Sequence, residues 1–133
     1  MAACDLKEPP SGEFKHPDQI VNPNGDSELA LVMRNMHYEA NAIRSSIELG
    51  NSPDYDKLHQ LVAKITTAEP TDSSQLDENY YQLAEVLQNS AKRMGKGSDP
   101  AIEFDNFIGT CISCHRNTCP GPISKIQKLI IAG

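Results

Sequence analysis

The chain has 133 residues, with 18 acidic and 12 basic side chains and a formal charge of −6 at neutral pH. That length suits a single domain with its own core, and the acidic balance argues against nucleic acid as a partner, because phosphate neutralisation needs clustered Lys and Arg. No apolar run approaches the roughly 18–20 residues that span a bilayer, and four cysteines are too few for a disulfide scaffold, so their spacing decides what they mean.

Residues 1–26 carry no helical period. Pro9, Pro10, Gly12, Pro17, Pro23 and Gly25 interrupt every element, so this stretch reads as a flexible N-terminal tether. Its start, Met1-Ala2-Ala3-Cys4, is similar to the small residues ahead of the acylated cysteine of a bacterial lipoprotein, without the apolar stretch of such a signal. A lipid on Cys4 would tether the domain to a membrane from outside the cytoplasm. The plainer alternative is a lone cysteine in a tail.

From residue 27 onward the pattern is helical. Ser27 can cap a first helix that stops at Gly50, with Leu29, Val32, Met33, Met36, Ala40, Ile43 and Ile47 on one stripe. Arg34, Asn35, Glu39, Arg44 and Glu48 take its outer face. A second helix spans about residues 53–68, facing inward through Leu58, Leu61, Val62 and Ile65, and the loop at 69–74 is rich in breakers. A third runs from about Gln75 to Met94 on a stripe of Leu76, Tyr80, Leu83, Ala84, Leu87, Ala91 and Met94. Asp99 caps the fourth, with Pro100 at the first helical position, and Pro120-Gly121-Pro122 ends it. A short amphipathic segment from Ile123 to Ile131 then folds back over that end. Four amphipathic helices with mostly short connections imply an all-α antiparallel four-helix bundle over residues 27–133, completed by a short C-terminal helical segment.

The fourth helix carries the chemistry. Its inward face, Phe104, Phe107 and Ile108, continues without a break into Cys111, Cys114 and His115. Cys-x-x-Cys-His is a c-type haem attachment pattern. Each thiol adds across one vinyl group of the haem, and the histidine that follows becomes an axial iron ligand. The spacing of three and four residues brings both sulfurs and the imidazole to one side of a helix. A thioredoxin-like reading needs strands around the motif, and none is indicated. Structural zinc on Cys111, Cys114, His115 and Cys119 is the stronger rival, although such sites usually draw ligands from two chain segments. An unmodified or disulfide-forming cysteine cluster is the remaining alternative. Cys119 itself can pair with Cys4 or serve as a small buried hydrophobe.

The opposite face of the iron decides the function. Met33 and Met36 stand on the inward stripe of the first helix, with His37 at its edge. A thioether from Met33 or Met36, or the imidazole of His37 if it does not instead contact a haem propionate or solvent, gives a six-coordinate iron suited to electron transfer, whereas apolar cover leaves it five-coordinate and open to small gases. Core filling is the ordinary role of such methionines. His16 and His59 read as solvated.

A haem motif near the end of the fourth helix of such a bundle resembles the class II c-type cytochromes, the cytochrome c′ and cytochrome c-556 group, over about residues 27–119. Leu31-Val32-Met33 and Gly50 are similar to the first helix of the low-spin members, which implies a methionine ligand there. The cytochrome c′ branch leaves that face open and often dimerises through the first two helices, which implies a homodimer. The long tether, Cys119 and the Pro-Gly-Pro stop with its added segment depart from the family pattern.

The expectation is therefore a periplasmic or otherwise extracytoplasmic electron carrier with one covalent haem c, and no enzyme: no proton donor, nucleophile or substrate pocket is indicated. Its partners would be redox proteins, to whose basic patches the net acidity steers it. A five-coordinate gas-binding or sensing haem protein and a structural zinc-bound helical domain are the alternatives.

Overall fold

In the computed structural model, which describes residues 27–70, 72–118 and 120–132, short polar side chains start the three long helices. The Ser27 hydroxyl accepts the Ala30 N–H at 3.0 Å and opens α1, Glu28–Glu48. The Asp77 carboxylate accepts the Tyr80 N–H at 2.9 Å and opens α3, Glu78–Arg93. Asp99 accepts from Ala101 and Ile102, and Pro100 begins α4, Pro100–Asn117. Two shorter helices, α2 (Asp56–Ala63) and α5 (Ile123–Gln127), complete an all-helical architecture, and no strand occurs among the described residues.

The second helix is shorter than its apolar pattern predicts. α-Helical bonding stops at Ala63 and gives way to a 3₁₀ turn, Lys64–Thr66. Side chains of α3 occupy the carbonyls around that end. The Tyr80 hydroxyl donates to Ile65 O at 2.6 Å and the Gln88 amide to Val62 O at 3.3 Å, which satisfies acceptors that a helix end leaves open. β-Branched Thr66 and Thr67, followed by Pro70, also disfavour further α-helix. The third helix likewise starts later than predicted, because Asp72 caps a separate 3₁₀ turn at Ser73–Gln75 and Asp77 becomes the true N-cap.

α1 packs on α2, α2 on α3, α3 on α4 and α4 on α1, so the four larger helices close a ring around one apolar cluster. Phe104, Leu58 and Ala84 at its centre are fully buried. Each buried large side chain contributes about 1.5–3 kcal/mol relative to exposure. Leu29, Val32, Met36, Ala40 and Ile43 of the expected α1 stripe are buried, with Met33 and Ile47 half-buried at its margins. Arg34 departs from the expected outer face: it is only 8% exposed.

Backbone and side-chain ties fix which ends meet. Leu29 N–H donates to Glu69 O at 2.9 Å, while Glu69 N–H donates to the Glu28 carboxylate at 2.9 Å. The start of α1 and the start of α3 are thereby both fastened to segment 64–70. At the far end Gly95 N–H donates to Glu103 at 3.2 Å. The C-terminal segment folds back on α4 as expected: Ile126 and Leu129 are buried, and the Asp105 carboxylate accepts Ile131 N–H at 2.7 Å and Ala132 N–H at 3.0 Å.

Among the described residues two glycines turn the chain with positive φ, Gly50 at 78° and Gly95 at 83°. A Cβ at Gly50 would meet open space, whereas one at Gly95 would lie 2.8 Å from the Tyr55 ring. Gly50→Ala should therefore cost roughly 1 kcal/mol from backbone strain alone, and Gly95→Ala about 2–4 kcal/mol with overpacking added. Urea denaturation of both variants checks this ranking; equal losses would contradict it.

Candidate functional site

The register that Asp99 and Pro100 impose on α4 carries its apolar face from Phe104, Phe107 and Ile108 to Cys111, Cys114 and His115 in the last turns. Cys114 and His115 are buried, at 7% and 9% exposure, and Cys111 is half-buried. The two thiols are free, with no bond between them. Burial pushes the Cys111 thiol up to about 12, helped by neighbouring Cys114. Burial also raises Cys114, against a smaller opposing hydrogen bond from Thr118. The Thr118 hydroxyl and N–H both donate to Cys114 O, at 2.8 and 3.2 Å, and close the helix just beyond the motif. These are protonated, apolar-facing sulfurs rather than the exposed, low-pKa thiolates of redox-exchange sites.

Across from α4, α1 brings its methionines to the same core. Met36 is buried within the cluster that contains Cys114, while Met33 and Cys111 pack against its margin. His37 is half-buried. One helix thus supplies two thiols and an imidazole, and a helix packed against it supplies two thioethers. Soft sulfur and imidazole donors of this kind suit a haem iron or a transition metal. Among the described residues no three His, Cys, Asp or Glu side chains gather closely enough to hold a metal ion by themselves. The fourth donor of the zinc reading, Cys119, lies outside the described residues, as do Cys4, His16 and the tether at 1–26.

The chain matches no protein-family model, no curated protein and no solved structure. Its function therefore rests on the chemistry of these side chains.

The structure adds two groups that the sequence reading did not single out. His59, expected to be solvated, is half-buried: its Nε2 lies 2.7 Å from Ala91 O and its ring stacks on Tyr55, so it ties α2 to α3. Tyr80, read only as part of an apolar stripe, is a buried phenol bonded to Ile65 O. A lone tyrosine in an aliphatic stripe signals such a bond, since a buried hydroxyl needs a partner.

An open cleft of about 780 Å³ lies near the other end of α4, lined in part by Tyr55, His59, Met94, Lys96 and Asp99. Pro100 and His115 are separated by about 22 Å of helix at 1.5 Å per residue, so this cleft is remote from the motif. Asp54 and Asp99 on its rim already accept backbone N–H groups, of Asp56 and of Ala101 and Ile102 respectively. No helix among the described residues is long and apolar enough to cross a membrane.

The thiols give a pH prediction for the protein free of cofactor. The folded-state value of Cys111 lies above its ordinary value of 9.0, at about 12. Unfolding therefore releases a proton in that window, and stability that is complete below pH 9 falls as pH rises towards 12. Urea midpoints measured at rising pH should decline over this range, and more shallowly in Cys111→Ala. A decline equally steep in that variant would contradict the assignment.

Proposed function

We propose that this chain is an extracytoplasmic class II c-type cytochrome, an antiparallel four-helix bundle that carries one covalent haem c and passes single electrons between redox proteins. The observation that carries this reading is the face of α4 on which free Cys111, free Cys114 and buried His115 follow one another. The ties of α2's end to the starts of α1 and α3, and of Gly95 to Glu103 at the far end, support helices that alternate in direction.

In this reading Cys111 and Cys114 would hold the haem covalently, each thiol taking up one vinyl group as a thioether. His115 would hold the iron through its imidazole. Met33 or Met36 on α1 would supply a thioether as the second ligand, with burial supporting Met36 and the likeness of Leu31-Val32-Met33 supporting Met33. When bound, haem supplies reversible one-electron chemistry at its iron. Both ligands would sit on helices that pack together, α1 and α4, so a change of oxidation state would require little rearrangement of the chain. The apolar cluster around them excludes water and would tune the potential of a bound haem together with the choice of ligands. The net charge of −6 favours docking to basic surfaces on partner proteins, with association that weakens as salt rises. Attachment through this motif takes place after export, which makes the location extracytoplasmic. Acylation of Cys4 would add a membrane tether.

The test is an absorption spectrum of protein exported from a host able to attach haem c. A pyridine haemochrome of the c type and a low-spin ferric spectrum are expected. Met33→Ala and Met36→Ala should behave differently, the true ligand's loss giving a high-spin form. A colourless protein would refute the haem reading. A high-spin parent that binds carbon monoxide readily would replace electron transfer with gas binding.

A further inference from the structure

The segment that follows the motif is held differently from the rest of the fold. It begins with the five-residue α5, which starts without a side-chain cap and packs on α4. The ring of α1, α2, α3 and α4 closes without it. Ile126 and Leu129 of this segment enter the core, whereas Gln127 and Lys128 between them are exposed. Its end is pinned at Asp105, whose carboxylate accepts Ile131 N–H at 2.7 Å and Ala132 N–H at 3.0 Å. The chain thus leaves α4 near Asn117 and returns along it as far as Asp105, about 18 Å at 1.5 Å per residue.

Helix geometry relates that pin to the motif. At about 3.6 residues per turn, Asp105, Ile108, Ile112 and His115 fall within about 80° of one another around the axis of α4. Cys111 and Cys114 stand farther round, on the side of Phe104 and Phe107. Ile112, Ile130 and Ile131 are all half-buried against the core, and His115 is buried. We propose that residues 123–132 form a strap over the His115 side of α4, which lifts while the four-helix ring stays closed and so controls access to this imidazole. Local opening is drawn from the part of a fold with the fewest buried contacts, and two aliphatic side chains and one carboxylate clamp are a small holding for ten residues. Admission of a cofactor to His115 by this opening rests on the haem reading; the opening itself is a property of the chain alone.

The experiment acylates histidines with diethyl pyrocarbonate in the full chain free of cofactor and reads each site by peptide mass. Asp105→Ala removes both acceptor oxygens and should speed acylation of His115 about tenfold, the size expected for one lost hydrogen bond to a charged group. Asp105→Asn keeps one acceptor oxygen and should fall between that variant and the parent. His59, bonded to Ala91 O at the other end of the bundle, should react at the parent rate in both variants. An unchanged His115 in Asp105→Ala overturns the strap. An equal rise at His59 overturns it as well, because the whole bundle would then have loosened. Neither reading uses haem, so a chain that takes up no haem refutes the proposed function and removes only the cofactor's part in this inference.

Discussion

The register of α4 is the constraint on which the rest of the site depends. Asp99 accepts two first-turn N–H groups and Pro100 pre-sets the first helical residue, so the helix begins at a defined position and its rotation is set from there. Phe104, Phe107 and Ile108 are each at most 1% exposed, and rotating the helix by one residue would take these side chains out of the core. Removing a buried phenylalanine side chain typically costs about 3–5 kcal/mol. That burial, rather than any bond made by the cysteines, directs Cys111, Cys114 and His115 inward. The site is thus held in orientation by apolar packing several residues upstream of it.

A second constraint acts at the motif end. Segment 64–70 is joined to α1 through Leu29, Glu28 and Glu69, and to α3 through Tyr80. The bonds at Glu28 and Glu69 are exposed and individually modest. The Tyr80 bond is buried, and leaving the Ile65 carbonyl without it would cost about 1–3 kcal/mol. Together these ties keep the start of α1, with Met33 and Met36 one to two turns beyond it, in a defined relation to the start of α3. Asp105 does the same for the C-terminal segment, since its carboxylate accepts two consecutive backbone N–H groups.

Local features were legible from the chain alone. Ser27 and Asp99-Pro100 act through bonds to residues two or three positions away, so their helix starts follow from adjacent letters. The apolar stripes of α1, α3 and α4 follow from period. Features that depend on distant partners were not legible. The early end of α2 reflects acceptors taken by Tyr80 and Gln88, 15 and 26 residues along the chain from the carbonyls they bind. The burial of Arg34 and the Ala91 partner of His59 likewise arise from tertiary packing that polarity and period do not encode. The Cys-x-x-Cys-His spacing identified the candidate site because its chemistry is local, whereas the choice between Met33 and Met36 is a question of how two helices meet.

The central claim is that Cys111 and Cys114 are both bonded to one haem, and the mass of a single peptide tests it most directly. Trypsin releases residues 97–116 as one fragment that contains both cysteines and His115. From protein exported by cells competent in haem c attachment, this fragment should be heavier by one haem, and neither cysteine should accept iodoacetamide. A fragment of bare polypeptide mass that takes up two carboxamidomethyl groups would contradict the account.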